Sequence, residues 1–158
     1  MKINQDGKPM MSDREIKIIE DILTEQKPEH CLEWGSGNST TYFASKLSSG
    51  STWLSVEHNG NYVVYLADKL PDNATVIWVP EDEWYVDCVK HSRTFQFILI
   101  DGLHREKCLE IAKKIVSDDG IILLHDAGRT DYQGFINKYG GEVLIDGEVP
   151  TGDGGYAH

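Results

Sequence analysis

Apolar residues first recur at helical spacing at Ile16, Ile19, Ile22 and Leu23, just after Ser12 and Glu15. A serine followed three residues later by a glutamate is a capping-box signature, in which the two side chains satisfy free N–H groups at a helix start. The pattern predicts an opening helix that ends near Lys27-Pro28. Beyond it, short β-rich runs alternate with helical stretches. Strands are expected over 30–34, 52–57, 75–79, 95–101 and 121–126, and helices over 39–47, 62–70 and 106–116. Residues 81–90 fit a short helix or an ordered loop. A weaker helix is expected over 131–139, a short strand over 142–145 and a Gly-rich end over 152–158. The most apolar run, Phe95 to Asp101, has the character of a central parallel strand buried on both faces. Strands alternating with helices predict an α/β domain with a mostly parallel central sheet, right-handed crossovers and helices on both faces.

The length of 158 residues suits one sizeable core, so a single domain over 1–158 is expected. No apolar run approaches the ~18 residues of a membrane span, and the first residues, Met1 to Gly7, lack the apolar centre of an export signal. These features predict a soluble, cytoplasmic protein with no membrane partner. A net charge of -11 without any run of Lys and Arg disfavours nucleic acid, whose affinity comes largely from basic side chains. Cys31, Cys88 and Cys108 are odd in number and widely spaced, which fits neither a disulfide framework nor a zinc knuckle. They are expected to be reduced, buried small hydrophobes.

In an open α/β sheet, ligands bind outside the carboxyl ends of the strands, where the strand order reverses. The loop Glu33-Trp34-Gly35-Ser36-Gly37-Asn38-Ser39-Thr40 follows the first strand, and its glycines let the backbone turn sharply and approach a ligand. Gly35, Ser36, Gly37, Ser39 and Thr40 are therefore candidate cofactor contacts. Glu57, twenty residues after Gly37, ends the second strand where a carboxylate can accept from two ribose hydroxyls. In the dinucleotide fingerprint a third glycine or alanine falls three residues after the second; here that position is Thr40. Glu33 is ill placed beside a pyrophosphate but suits a ligand carrying an ammonium group, which favours S-adenosylmethionine over NAD.

With these residues in place, the chain resembles the class I S-adenosylmethionine-dependent methyltransferases, which have a Rossmann-like fold. The resemblance runs from Glu33-Trp34-Gly35-Ser36-Gly37 through Ser55-Val56-Glu57-His58 to Phe97-Ile98-Leu99-Ile100-Asp101-Gly102-Leu103-His104. Within that superfamily, Ile100 to Arg105 and Asp119 to Asp126 are similar to paired motifs of the methyltransferase family 24 group. The resemblance implies that Glu33 and the backbone around Gly35 and Gly37 hold the methionine part and that Glu57 holds the ribose. It also implies an acidic residue for the adenine amino group, Glu81 or Asp82, with His58 or Trp84 packed against the ring.

Asp101 and Asp126 close two strands that lie side by side in the superfamily's strand order. Two carboxylates brought that close repel, so one takes up a proton, a ligand satisfies them, or a cation sits between. Mg²⁺ or another divalent ion held by Asp101 and Asp126 is one solution; Ala127, standing where related metal-assisted O-methyltransferases have an acidic or amide ligand, weakens it. Asp101, Asp126 and His104 are the candidate catalytic residues, His104 as the base, and Asp101 is also a candidate cofactor contact. His125 and Asp126 alternate in the strand and are expected to point to opposite faces, so that only one meets the ligand. Arg129 could pair with an anionic substrate. The expected activity is methyl transfer to a hydroxyl or amine of a small molecule. The alternatives are a nonenzymatic S-adenosylmethionine-binding domain or a subunit of a larger complex, and a nicotinamide-dependent oxidoreductase. With little chain left over to wall the acceptor site, a homo-oligomer partner could supply it.

Overall fold

The computed structural model describes residues 7–81, 83–129, 132–145, 149–150 and 156–157. Asp82, Asp131 and much of the Gly-rich end lie outside the described residues. The elements are α1 (Asp13–Gln26), β1 (His30–Trp34), α2 (Asn38–Ala44), β2 (Thr52–Glu57), α3 (Gly60–Leu66), β3 (Ala74–Trp78), α4 (Glu83–Asp87), β4 (Phe95–Ile100), α5 (Arg105–Ile115), β5 (Val116–Leu124) and α6 (Gln133–Tyr139). Five strands form one parallel sheet in the order β3-β2-β1-β4-β5. Two short strands, β6 (Val149–Pro150) and β7 (Tyr156–Ala157), pair antiparallel apart from it. Among the described residues no helix is long and apolar enough to cross a membrane.

The capping box forms at α1 as its sequence predicts. Ser12 Oγ accepts from the Glu15 N–H at 3.2 Å, and Glu15 Oε2 accepts from the Ser12 N–H at 2.7 Å. The helix stops at Lys27, which turns left-handed ahead of Pro28. Alternation along the strands then divides the core into two layers. Leu32, Trp34, Val56, Ile98 and Ile100 pack on one face with Tyr85, Cys108 and Ala112 from the α4–α5 side. Cys31, Trp53, Phe97 and Leu99 pack on the other face with Ile16, Ile19 and Leu23 of α1 and Phe43 of α2. Burying each such large side chain is worth roughly 1.5–3 kcal/mol. The three cysteines are free, with Cys31 and Cys108 buried, and burial pushes both of those thiols up to about 12.

From β1 the chain runs outward through β2 to β3, then returns to place β4 on the other side of β1. The strand order reverses between β1 and β4, and their two C-terminal loops meet there without side chains between them. Gly35 has φ +96, and a Cβ on it would lie 2.7 Å from both Cα and N of Gly102. A Cβ on Gly102 would lie 2.0 Å from the Tyr85 hydroxyl. The ladder continues past the strand ends: the Asp101 N–H donates to Trp34 O at 2.9 Å and the His125 N–H to Ile100 O at 3.1 Å. Asp101 and His125 are thereby fixed side by side at the rim of the sheet.

Three expectations need correction. β5 begins at Val116, which pairs with Phe95; Ile121 then pairs with Phe97, so the intervening residues bulge outward with Asp118 and Asp119 exposed. β5 also ends at Leu124, because the chain turns and Asp126 adopts a left-handed φ of +55. The strand expected over 142–145 does not form: Val143 and Leu144 are exposed, and no described strand offers them a ladder. Within 81–90, where helix and loop were both open, a short helix forms. Gly102→Ala is expected to destabilise the fold by about 1–3 kcal/mol, the usual cost of overpacking. Urea unfolding should show Tyr85→Phe recovering part of that loss in the double variant, since the phenolic oxygen is the nearest obstruction.

Candidate functional site

A cleft of about 300 Å³ opens over the β1–β4 reversal. The β1 loop contributes Gly35 to Ser39, and the end of β2 contributes Glu57 and His58. Asp101, Gly102, Leu103 and Arg105 come from the β4 side, and Met10 and Met11 close over from the N-terminal segment. That segment is tied down where Asn38 Nδ2 donates to Lys8 O at 3.0 Å.

Two buried glutamates hold the glycine loop. Glu57, 2% exposed, faces the cleft and accepts from the Ser36 and Asn59 N–H groups, each at 2.7 Å. His58 Nδ1 lies 3.1 Å from the same carboxylate. Glu33 lies behind the loop, with no exposed surface. Ser39 Oγ and Thr40 Oγ1 donate to it at 2.6 Å each and Trp53 Nε1 at 3.0 Å. Burial pushes this carboxyl up to about 7 although Ser39, Thr40, Trp53 and Ser55 pull it back. Glu33 is not among the cleft walls, so the sequence-based pairing with a ligand ammonium does not match its position. Thr40 accepts from the Gly37 N–H at 3.1 Å while donating to Glu33, which explains a threonine where the dinucleotide fingerprint has a third small residue.

The other predicted residues divide between the cleft and its rim. His58 lines the cleft, and its ring meets the buried Tyr85 edge-on at 5.9 Å. His104 meets the same Tyr85 ring at 6.3 Å but stands outside the walls, with Nε2 3.6 Å from the exposed Glu81. Trp84 is exposed on α4. Of the three catalytic candidates only Asp101 lines the cleft; His104 and Asp126 do not.

The carboxylate pair sits in a cluster of charges that sequence reasoning only partly reached. Arg105 Nη2 donates to Asp101 Oδ1 at 3.0 Å, and Nη1 lies 3.7 Å from Asp126 Oδ2. It also holds backbone: Nε donates to Gly102 O at 3.0 Å, Nη1 to His125 O at 2.5 Å and Nη2 to Asp101 O at 3.1 Å. His125 Nδ1 lies 2.9 Å from Asp101 Oδ1 and 3.8 Å from Asp126 Oδ1, while Nε2 lies 3.2 Å from Glu15 Oε1. The expectation that His125 and Asp126 face apart is therefore wrong: the strand ends before them, and the left-handed turn at Asp126 brings both to Asp101. Arg129 lies 3.9 Å from Asp126 and over the Tyr132 ring, which Arg105 also faces. Sequence reasoning missed Glu15 and Arg105 as site residues. Arg105 carried a signal, four residues after Asp101 at a helix start. Glu15 carried none beyond its capping role.

Burial lowers the proton affinity of His125, but the charge and hydrogen bond of Asp101, the hydrogen bond of Glu15 and the charge of Asp126 outweigh it and raise the imidazole to about 10. Burial raises Glu15, yet hydrogen bonds from His125 and Ser12 bring it down to about 2. One ligand atom each from Asp101, His125 and Asp126 lie within 4.8 Å of one another, a spacing a metal ion could use. The occupancy does not fit: Asp101 Oδ1 already accepts from Arg105, and the two ring nitrogens of His125 each face a carboxylate. Because the folded pKa of His125 is raised from 6.5, its stabilisation is complete below pH 6.5 and is lost as pH rises through about 10. Urea unfolding should show wild type losing more stability over that window than His125→Gln; parallel curves would count against the ion cluster.

The sequence model of a family described as a methyltransferase domain matches residues 32–127. No match is found among curated proteins. Among solved structures, an inferred O-methyltransferase from Klebsiella pneumoniae superimposes with a TM-score of 0.74 at 16% identity, covering 93% of this chain and 78% of that one. The O-methyltransferase from Bacillus cereus in complex with S-adenosylhomocysteine gives 0.72 at 18% identity, over 93% and 79%. The O-methyltransferase TomG of tomaymycin synthesis from Streptomyces achromogenes, in complex with S-adenosylmethionine, gives 0.69 at 15%, over 93% and 78%. At these identities the likeness is one of fold, Rossmann-like with the five-stranded parallel sheet described above.

Proposed function

Because the chain belongs to the methyltransferase-domain family, we propose that it transfers a methyl group from S-adenosylmethionine to a hydroxyl, or an amine, of a small molecule. The observation that carries this is the placement of Glu57. Its carboxylate is buried at the end of β2, faces the cleft beside the glycine loop and is fixed by two backbone N–H groups. A carboxylate has about four acceptor sites, so two hydroxyls of a ribose can still donate to it. The cleft volume falls at the lower end of the roughly 300–1,000 Å³ found for small-molecule sites. The Bacillus cereus and Streptomyces proteins, with the same fold, hold the demethylated and the intact form of this cofactor.

Once bound, the sulfonium supplies a methyl group already attached to a good leaving group. What remains for the chain is alignment and exclusion of water. Gly35 to Ser39 and Glu57 bind along one wall, and Asp101 and Gly102 along the other. Met10, Met11 and Leu103 give the cleft apolar lining against which an acceptor can pack. The proposed base for the acceptor's proton is His104, whose Nε2 lies 3.6 Å from Glu81. A binding-only role is the second reading, favoured by the location of His104 and Asp126 outside the cleft walls.

Calorimetry with S-adenosylmethionine, S-adenosylhomocysteine and NAD separates these functions from an oxidoreductase: the first two should bind and NAD should not. Glu57→Ala should weaken binding by about 1–3 kcal/mol, the cost of leaving buried hydroxyls unpaired. In a screen of phenols, sugars and amines, release of S-adenosylhomocysteine that falls about 10²-fold in His104→Ala, with cofactor affinity retained, would identify an enzyme with that base. A cofactor-saturated chain inactive on all of them would favour the binder.

A further inference from the structure

Asp101 and Asp126 bring like charges to the ends of neighbouring strands, and Glu15 adds a third from α1. Facing them are Arg105 from α5 and His125 and Arg129 from the turn after β5. Arg105 is the centre of this arrangement: it is 8% exposed, and its fork reaches both carboxylates and three strand-end carbonyls, those of Asp101, Gly102 and His125. A guanidinium stays charged at any pH the fold tolerates and spans two acceptors in one plane.

We propose that Arg105, supported by His125, takes in this chain the place that a divalent cation would otherwise fill, joining Asp101 to Asp126 and excluding a metal. Arg105 is then a positioning residue: it acts through Asp101, which lines the cleft, and sets where the ends of β4 and β5 stand relative to each other. A dication entering between the carboxylates would have to displace the guanidinium or bear its repulsion. The inference concerns the charge of the site and holds whichever cofactor fills the cleft.

The test uses the full chain, stripped with EDTA, freed of chelator and titrated with Mn²⁺ while electron paramagnetic resonance reports the free ion. Wild type is expected to take up no Mn²⁺ at this cluster. Arg105→Ala removes the guanidinium that joins the two carboxylates and should bind Mn²⁺ at least ~10-fold more tightly than wild type, and adding Asp126→Asn to that variant should abolish the gain. Uptake of Mn²⁺ by wild type that Asp126→Asn abolishes would overturn the proposal, and so would a folded Arg105→Ala chain that binds no better than wild type. Should Arg105→Ala fail to fold, wild type alone decides by nuclear magnetic resonance. Selective paramagnetic broadening of the Arg105 Nε–H and His125 ring signals by Mn²⁺ overturns the proposal, and broadening confined to surface carboxylates upholds it.

Discussion

Backbone meets backbone where the loops after β1 and β4 cross, at Gly35 and Gly102, and the approach is too close for a side chain on either residue. That contact sits at the reversal of strand order, the one place along the sheet edge where two neighbouring loops diverge to opposite faces. It opens a cleft and sets Asp101 against the glycine loop. The loop in turn is held by two carboxylates with different surroundings. Glu33 is sealed behind it among hydroxyls and an indole, where burial favours the protonated acid. Glu57 stands in front, fixed by backbone N–H groups and open to the cleft. The sheet thus presents a rigid platform, which is what in-line group transfer requires of a protein that does little covalent chemistry itself.

The N-terminal helix belongs to the same construction. Glu15 caps α1 with one oxygen and reaches His125 with the other, so the helix that fills one core layer also closes the charge cluster at the end of β5. The segment before it, anchored on Asn38, adds Met10 and Met11 to the cleft lining. Packing, capping and site electrostatics therefore share residues, and a change at Glu15 should be felt at all three.

Features decided by neighbours in sequence were legible before the structure. The α1 capping box depends on residues three apart, the strands on short apolar runs, and the Glu57 position on a fixed strand–helix–strand length. Features decided by distant contacts were not. Glu33 reads as a ligand carboxylate until Trp53, twenty residues on, is seen to share its proton acceptor sites with Ser39 and Thr40. His125 and Asp126 read as alternating strand residues, and only the left-handed turn at Asp126 shows why they converge. The strand expected over 142–145 has suitable residues but no partner strand among those described. The Arg105 clamp could have been suspected from its spacing to Asp101, yet its reach to Asp126 depends on the pairing of β4 with β5.

The central claim, that this cleft holds S-adenosylmethionine through the glycine loop and Glu57, is tested most directly by following backbone amide resonances during titration with S-adenosylhomocysteine. The largest changes should fall on Ser36, Gly37, Asn59 and Gly102, whose amides lie in or bond to the cleft walls. Changes absent from these residues, or reproduced by NAD and not by S-adenosylhomocysteine, would contradict it.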